Sequence, residues 1–342
     1  MGRIGKTIEE LNRYRQHWLG ALADDVRRGD VEAPAKAAPL TEVSDFGLNP
    51  GHLRMLVFVP DRFIENPPLV VALHGCQQTA EGYDLGTGWS QLAAREGFIV
   101  CVPEQRGGNN SQHCFNWFTE RNTARGGGEA GSIHAMVGHL VATHGVDPSR
   151  IYITGLSAGG AMTAAMLAAY PEVFAAGAVI AGLPYRAAVS VGGALEAMAV
   201  GDRRSGVESS AAVRAASDHS GPWPRLSVWH GMADETVSRA NAGALIRQWR
   251  HLNGLRAKPS REELVHGQTR RVWADAAGRD LIEEYQIDNF GHGAPLDAAV
   301  VGQPGPFLIE AGISSTLHIA EFFGLVQKPA GVIERVLRAA GV

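Results

Sequence analysis

The sequence predicts an α/β fold in which a mostly parallel sheet is covered by helices on both faces. Seven apolar runs have the length and β-branched content of strands, and stretches of helical character separate them. Strands that alternate with helices are typical of parallel sheets, because the chain must cross over between successive strands. The central runs lack apolar–polar alternation, which indicates that both faces of the sheet are buried.

The predicted elements follow one another from residue 53 onward. Strands are predicted over Leu53–Val59, Leu69–Leu73, Phe98–Val102, Arg150–Thr154, Ala175–Ala181, Leu226–Trp229 and Leu281–Ile287. Helices are predicted over 84–96, 128–144, 158–170, 236–253 and 312–324. The stretch 183–224 is longer than an ordinary connection, so we expect an insertion there that forms a lid or one wall of a cleft.

The first 48 residues are predicted to lie outside the main domain, which we place at 49–342. Ile8, Leu11 and Trp18 recur at helical spacing and predict an amphipathic helix over residues 7–28, followed by an Ala/Pro-rich linker up to residue 48. Because the N-terminus lacks the apolar core of a secretory signal, we expect a cytoplasmic protein, with other routes of secretion left open.

Composition argues against several classes of function. Of the 342 residues, 45% are hydrophobic and 19% are charged, which is ordinary for a globular protein. The net charge of −4 offers no basic surface for nucleic acid, and no apolar run reaches the length of a membrane span. The cysteines show no zinc-ligand spacing, so we expect neither metal nor cofactor. Cys76 and Cys114 would pair if their loops met, although a cytoplasmic location argues against a disulfide.

The motif Gly155-Leu156-Ser157-Ala158-Gly159 carries the most information about chemistry. It matches G-x-S-x-G and lies between a predicted strand and a strongly helix-forming stretch. In that context the motif indicates a nucleophile elbow, a turn so tight that only small residues fit beside the serine. The alternative is an ordinary strand-to-helix turn with an incidental serine. The elbow predicts Ser157 as the nucleophile and an α/β-hydrolase fold.

A nucleophilic serine needs a base, and the base needs a carboxylate that orients it. On this fold the acid and then the histidine follow the serine along the chain, each beyond the end of a strand. Asp234 meets the requirement for the acid, with its neighbour Glu235 as the alternative. His292 lies in a glycine-flanked loop after the last predicted strand and is the expected base. The other downstream histidines are less suitably placed in the predicted elements: His251, His266 and His318.

The turn after the strand at 69–73 reads Leu73-His-Gly-Cys-Gln-Gln78. Its glycine lets the backbone turn so that the N–H of Cys76 faces the cleft. Together with the N–H of Ala158, this would make a two-donor oxyanion hole. We assign His74 and Gln77 of the same turn to substrate contact. A nucleophilic Cys76 is the alternative, but the sequence implies no activating base beside it.

Eight segments of the chain resemble the polyhydroxybutyrate depolymerase/feruloyl-esterase family of α/β-hydrolases. They are Leu73-His-Gly-Cys-Gln-Gln-Thr-Ala80, Glu96-Gly-Phe-Ile-Val100, Pro103-Glu-Gln105, Cys114-Phe-Asn-Trp-Phe118, Arg125-Gly-Gly-Gly-Glu129, Gly155-Leu-Ser-Ala-Gly-Gly-Ala161, Gly182-Leu-Pro-Tyr185 and His230-Gly-Met-Ala-Asp234. The similarity covers about residues 50–325. It implies the same triad and oxyanion residues, and a substrate wall that includes Trp117. The chain departs from the family around the histidine, where the family often has Gly-x-Gly-His-Ala-Trp and this chain has Asn289-Phe-Gly-His-Gly-Ala-Pro295.

The sequence therefore predicts a serine carboxylic-ester hydrolase that works through an acyl-enzyme. Short-chain hydroxyalkanoate oligomers or polyesters, or other small esters, are the expected substrates, and a homo-oligomer is left open. The alternatives are a feruloyl or aryl esterase, an acyltransferase, a serine peptidase, or a non-catalytic binding protein on a hydrolase scaffold. Trp117 would either line the cleft or be pinned into a local core. Glu129 is expected to hold structure by hydrogen bonding rather than to act as a catalytic acid.

Overall fold

The computed structural model describes residues 39–326. Its strands are β1 Thr41–Val43, β2 Arg54–Phe58, β3 Leu69–Leu73, β4 Ile99–Glu104, β5 Ile151–Leu156, β6 Ala176–Ile180, β7 Arg225–Gly231, β8 Arg261–Val265, β9 Gln268–Ala274, β10 Asp280–Ile287, β11 Ala294–Leu296 and β12 Leu308–Glu310. Its helices are α1 Ala80–Thr87, α2 Trp89–Glu96, α3 Glu120–Thr123, α4 Gly128–His144, α5 Ala158–Ala169, α6 Val191–Val200, α7 Gly206–Arg214, α8 Ala240–Leu252 and α9 Ser315–Phe323. The helix predicted over 7–28 lies outside the described residues.

The central sheet has the strand order β1-β2-β4-β3-β5-β6-β7-β10-β9-β8. Its inner strands from β4 to β10 all pair in parallel, and the outer pairs at each edge are antiparallel. β11 and β12 form a separate parallel pair. The α/β-hydrolase fold predicted from the sequence is confirmed. The carboxyl ends of β3, β5, β7 and β10 meet at one edge of the sheet, which is where such folds place their sites.

Apolar side chains cover both faces of the sheet. In β3, Leu69, Val71 and Leu73 point into a core that also contains residues of α4, α5 and α8. The alternate residues of β3, Val70 and Ala72, point into a second core beneath α1, α2 and α9. This division explains why the central strands are apolar without alternation, because each face meets its own layer of helices.

The edges of the sheet differ from the prediction. Thr41–Val43 pairs with β2, so the predicted linker does not extend to residue 48, and the sheet begins before residue 49. The hairpin of β8 and β9 was not predicted, because Arg261-Glu-Glu is exposed and its charges give no apolar pattern. The helix predicted over 84–96 is divided at Gly88, whose φ of 73° ends one helix and starts the next.

The insertion at 183–224 contains two helices, α6 and α7. Ser205 caps α7 in a capping box with Glu208, and α7 packs against α8. α6 lies over the carboxyl edge of the sheet, where its residues line the cavity described below. Among the helices described between residues 39 and 326, none has both the length and the apolar character that a bilayer crossing requires.

Candidate active site

Ser157 lies at the sharp turn between β5 and α5. Its backbone has φ 56° and ψ −116°, a conformation that residues other than glycine rarely adopt. The Ser157 N–H donates to the carbonyl oxygen of Ile180 and fixes the turn against β6. A Cβ atom on Gly159 would overlap with the carbonyl oxygen of Leu73, so glycine is required for α5 to pass this close to β3. The geometry is that of a nucleophile elbow.

His292 connects Ser157 to Asp234. Its Nε2 lies 2.9 Å from Ser157 Oγ, and its Nδ1 lies 2.8 Å from Asp234 Oδ2. Ser157 comes from the end of β5, Asp234 from the turn after β7 and His292 from the loop after β10. The structure therefore brings together the three residues that the sequence nominated. In this arrangement the imidazole can accept the serine proton while the carboxylate holds its ring.

The carboxylate of Asp234 is fully enclosed and accepts four contacts. Oδ1 accepts backbone N–H groups of Thr236 and Val237, at 2.9 and 2.8 Å. Oδ2 faces the ring nitrogens of His292, at 2.8 Å, and His230, at 3.3 Å. Burial alone would raise the pKa of Asp234, but the two imidazoles and their hydrogen bonds hold its pKa well below the usual range. The acid is thus maintained as a carboxylate beside His292.

The neighbouring backbone brings the acid and base together. A Cβ atom on Gly231 would overlap with the carbonyl oxygens of Phe290 and Gly291, so only glycine lets the end of β7 approach the loop of His292. The N–H of Ala233 donates to the Phe290 carbonyl oxygen and joins the two turns. The close approach of the two turns explains why a glycine, Gly231, follows His230 in the sequence.

The rival candidates lie elsewhere. Glu235 is exposed, whereas Asp234 points inward. His318 lies in α9, where its Nδ1 contacts Glu321 Oε2 at 3.0 Å and its ring stacks near Trp229 and Tyr285. His251 lies in the last turn of α8, and His266 lies in the turn between β8 and β9.

A cavity of about 220 Å³ opens beside Ser157. Its wall is mostly apolar, with three polar side chains, those of Asn110, Gln112 and Ser157 itself. Its other lining residues are Cys76, Cys114, Trp117, Phe118, Ala158, Leu183, Val191, Ala194, Leu195, Met198 and Val237. Trp117 belongs to this wall and is also 7% exposed, with its ring edge-on to Phe118. Trp117 therefore fits both alternatives, because it lines the cavity and is also packed into a local core.

The sequence predicted a lid or cleft wall from the insertion at 183–224, but it did not identify α6 or the residues of α6 that line the cavity. Val191, Ala194, Leu195 and Met198 share one face of the helix, since they are spaced three or four positions apart or are adjacent. That spacing was a usable signal, but Gly192-Gly193 obscured the helix. Ser190 caps it by accepting the N–H of Gly193.

Cys76 and Cys114 form a disulfide. The bond joins the turn after β3 to the loop that carries Trp117, and both cysteines line the cavity. The sequence left this pairing open and argued against it on location. A disulfide-bonded Cys76 has no thiol, so the alternative in which Cys76 is the nucleophile is wrong. Among residues 39–326, the backbone N–H groups of Cys76 and Ala158 have no hydrogen-bond acceptor, and their role as oxyanion donors stays a prediction.

The assignment of His74 to substrate contact is wrong. Its side chain is completely buried, with Nδ1 2.7 Å from the Gly75 carbonyl oxygen and Nε2 accepting the Gln105 N–H at 3.1 Å. Burial lowers the pKa of His74 to about 4. It braces the turn from behind rather than facing the cleft. Gln77 is exposed, bonds to the Gln112 side chain at 2.9 Å and has φ 62°, and its contact with substrate stays a prediction.

Glu129 anchors the aromatic loop, in agreement with its expected structural role. Its carboxylate accepts hydrogen bonds from the backbone and side chain of Asn116, at 2.8 and 2.6 Å, and from Gln105 at 2.7 Å. Burial raises the pKa of Glu129 to about 7, against the opposing effect of these donors. Because Asn116 precedes Trp117, this carboxylate fixes the position of the aromatic wall.

The chain is similar to known esterases in sequence and in fold. The model of the family described as Esterase PHB depolymerase matches residues 54–271. Poly(3-hydroxyalkanoate) depolymerase C of Paucimonas lemoignei is 43% identical over 292 residues, which span 84% of this chain and 70% of that protein. Feruloyl esterase B of Talaromyces funiculosus is 33% identical over 274 residues, which span 78% and 76%. A solved acetyl xylan esterase from Aspergillus awamori has a TM-score of 0.71 at 27% identity, covering 84% of this chain and 99% of that one.

Proposed function

The chain belongs to the PHB depolymerase family of esterases and is a carboxylic-ester hydrolase, and we propose that it acts through an acyl-enzyme on Ser157. The observation that carries the proposal is the continuous contact from Ser157 through His292 to the buried Asp234. A binding protein on the same scaffold would have no need of a base aligned between a strained serine and an enclosed carboxylate.

In the first half of the reaction, Ser157 Oγ attacks the ester carbonyl while its proton passes to His292 Nε2. The carbonyl oxygen becomes an oxyanion, and the N–H groups of Cys76 and Ala158 are the donors proposed to stabilise it. His292 then protonates the leaving alcohol as the tetrahedral intermediate collapses to the acyl-enzyme. In the second half, His292 takes a proton from water while the water oxygen attacks the acyl carbonyl carbon. His292 then returns this proton to Ser157 Oγ as the bond between Ser157 Oγ and the acyl carbon breaks and the acid leaves.

We propose short-chain esters, including hydroxyalkanoate oligomers, as the preferred substrates. The cavity of about 220 Å³ is smaller than the range of about 300–1,000 Å³ that is usual for drug-sized ligands. Met198 and Leu195 of α6 line the same cavity as Trp117, and they would limit the length of the bound acyl chain. The wall contributed by α6 is the role we propose for the insertion.

A feruloyl or aryl ester is the second candidate, and the aromatic pair of Trp117 and Phe118 in the wall favours it. A flat ring packs on an aromatic edge with a gain of about 0.5–1.5 kcal/mol beyond its burial. The identity to a poly(3-hydroxyalkanoate) depolymerase is nevertheless higher than to a feruloyl esterase, at 43% against 33%. We therefore place hydroxyalkanoate esters first.

The test is a series of p-nitrophenyl esters of increasing acyl length, together with methyl ferulate and a hydroxybutyrate trimer. We expect kcat/KM to be greatest for short acyl chains and for the trimer, and to be lost after treatment with an organophosphonate that labels Ser157. Met198→Ala should move the optimum to longer chains, while Val207→Ala, an exposed position on α7, should leave it unchanged. Turnover that survives labelling of Ser157 would refute the proposal. Transfer to added alcohols faster than hydrolysis would instead indicate an acyltransferase.

We also propose an oxidising environment for the working protein, contrary to the cytoplasmic location expected from the sequence. Disulfides persist in such compartments and are rare where thiols are kept reduced. The bond between Cys76 and Cys114 lies in the wall of the cavity beside Ser157. Thiol titration of protein isolated from its native source under alkylating conditions should find one free thiol, that of Cys101. Three free thiols would contradict this proposal.

A further inference from the structure

A second imidazole approaches Asp234 from the end of β7. His230 is 2% exposed, and its Nε2 lies 3.3 Å from Asp234 Oδ2 and 2.8 Å from the carbonyl oxygen of Val237. A carbonyl oxygen can only accept a hydrogen bond, so His230 must carry its proton on Nε2. The nitrogen that bears this proton also lies within 3.3 Å of Asp234 Oδ2, so the carboxylate oxygen can share the proton with the Val237 carbonyl oxygen. His230 Nδ1, the other ring nitrogen, has no hydrogen-bond partner among residues 39–326.

We propose that His230 is a positioning residue for the reaction: its Nε2–H holds Asp234 Oδ2 in the orientation that aligns His292. This inference rests on the proposed hydrolysis through Ser157. Asp234 Oδ2 would otherwise bear on His292 alone, since the two backbone N–H groups of the turn engage Oδ1. His230 therefore supplies the second donor to the same oxygen that orients the base.

Two successive hydrogen bonds connect His230 to Asp234 through Val237. His230 Nε2 donates to the Val237 carbonyl oxygen, and the Val237 N–H donates to Asp234 Oδ1. Because His230 belongs to β7 of the central sheet, these hydrogen bonds hold Asp234 in a fixed position relative to the sheet. Val237 also lines the cavity beside Ser157, so loss of these hydrogen bonds would also disturb the wall of the cavity.

The charged surroundings of this pair come from several elements. Asp234 is influenced by His230 of β7 and by His292 of the loop after β10. On the other side of His230, β10 places the uncharged Gln286 in register with it. The surface groove that His230 lines also contains the charged residues Arg239, Lys258, Glu262, Arg271 and Glu284. Arg271 pairs with Glu262 at 2.7 Å and with Glu284 at 3.5 Å. Because the pKa of Asp234 responds to the charges of His292 and His230, a pH effect at Asp234 should reflect the two imidazoles.

The test compares two substitutions at one position. His230→Leu removes the donor, whereas His230→Gln retains an N–H at a position close to that of Nε2. With p-nitrophenyl acetate we expect kcat to fall about 10- to 100-fold in His230→Leu, the effect of losing a hydrogen bond to a buried charge, with KM within about twofold. His230→Gln should recover most of this loss. His318→Leu, which removes another buried imidazole from its carboxylate partner, should leave kcat unchanged.

The pH dependence separates positioning from a general structural defect. Without the donor, Asp234 Oδ2 is no longer held against His292, so the carboxylate stabilises the protonated imidazole less and His292 loses its proton at lower pH. The acid limb of kcat/KM should therefore move to lower pH in His230→Leu and return in His230→Gln. A uniform fall in rate with an unmoved limb and no recovery in His230→Gln would overturn the inference.

A measurement independent of turnover distinguishes this inference from the proposed function. In a Ser157→Ala background, the titration of the His292 ring is followed by NMR and assigned by its loss in His292→Gln. We expect its midpoint to fall when His230→Leu is added. An unchanged midpoint overturns the role of His230 whether or not the wild-type chain hydrolyses esters. An absence of hydrolysis by the wild type, with the midpoint shifted, would refute the proposed function and retain the contact.

Discussion

His292 Nε2 lies 2.9 Å from Ser157 Oγ, although 135 positions of sequence separate the two residues. The sheet produces this contact, because β5 and β10 both end at the same edge and their following loops bend over it. β6 and β7 lie between those two strands, and β7 contributes the acid. The strands that precede serine, acid and base thus follow one another across the sheet, and the meeting of the three residues follows from parallel strands whose carboxyl ends face one way.

Ser157→Ala should abolish ester hydrolysis and leave the fold intact. Alanine has no hydroxyl to acylate but fits the space of serine in the tight turn. Loss of a triad nucleophile costs on the order of 10⁶ in kcat in comparable enzymes. The measurement is kcat on p-nitrophenyl acetate, with circular dichroism as the check on folding. A variant that kept more than a tenth of wild-type activity with an unchanged spectrum would show that another residue is acylated.

His292→Ala should remove the activity and with it the acid limb of the pH–rate profile. The base must be unprotonated to accept the serine proton, and an ordinary imidazole titrates between about pH 6 and 7. Activity of the wild type should therefore rise across that interval. His318→Ala is the matched control, because His318 is also buried beside a carboxylate but lies in α9. If His318→Ala were the inactive variant, the loop after β10 would not carry the base.

The sequence was sufficient to predict the parallel sheet and the three residues that meet at its edge. Both depend on local signals: apolar runs for the strands, and small residues at the turns that present Ser157, Asp234 and His292. The order of these residues along the chain was the additional constraint. Because the parallel topology places strand ends together, local signals sufficed for a long-range arrangement.

The sequence was insufficient wherever a residue's role depends on its neighbours in space. His74 has the same polar character in the chain as a substrate ligand, and only the packing of Gln105 and Phe115 around it shows that it is enclosed. The disulfide likewise depends on two loops meeting. β8 was missed because an exposed edge strand needs no apolar residues, and its pairing with β9 supplies the hydrogen bonds.

Replacing both Cys76 and Cys114 by serine should destabilise the protein and slow the reaction. The disulfide closes a loop of 38 residues, and removal of such a cross-link costs about 2–4 kcal/mol. The free energy of unfolding in urea measures this loss. Activity should fall as well, because Cys76 would no longer be held beside Ala158. Cys101→Ala is the control, since Cys101 is a buried free thiol and its loss leaves the disulfide in place. Equal stability of the double variant and the wild type would refute a structural role for the bond.

Glu129→Gln should change how stability depends on pH. Burial raises the pKa of Glu129 to about 7, so between the unfolded value near 4.5 and pH 7 the folded state binds more protons than the unfolded state. Wild-type stability should therefore fall, relative to the variant, by up to about 3 kcal/mol as pH rises through this interval. Urea unfolding at pH 5 and pH 8 measures the difference. The exposed Glu120→Gln is the control, and the same Glu129→Gln effect at both pH values would contradict the shift.

Trp117→Ala should affect large esters more than small ones. The ring lines the cavity beside Ser157, so its loss removes apolar contact with a bulky acyl or aryl group but no proton transfer. We expect kcat/KM for an aryl or long-chain ester to fall by an amount that corresponds to about 1–3 kcal/mol of activation free energy, while kcat/KM for an acetyl ester changes little. Because Trp117 is also 7% exposed and packed against Phe118, the melting temperature should fall too.

Phe115→Leu separates the two consequences of the Trp117 substitution. Phe115 belongs to the same loop but is completely buried, with its ring 5.0 Å from that of His74. It should lower the melting temperature while changing all esters by the same factor, because its side chain packs behind the turn rather than along the cavity. The comparison of kcat/KM for acetyl and aryl esters between the two variants therefore isolates the contact with substrate. A uniform loss in Trp117→Ala, equal to that in Phe115→Leu, would assign Trp117 to the core alone.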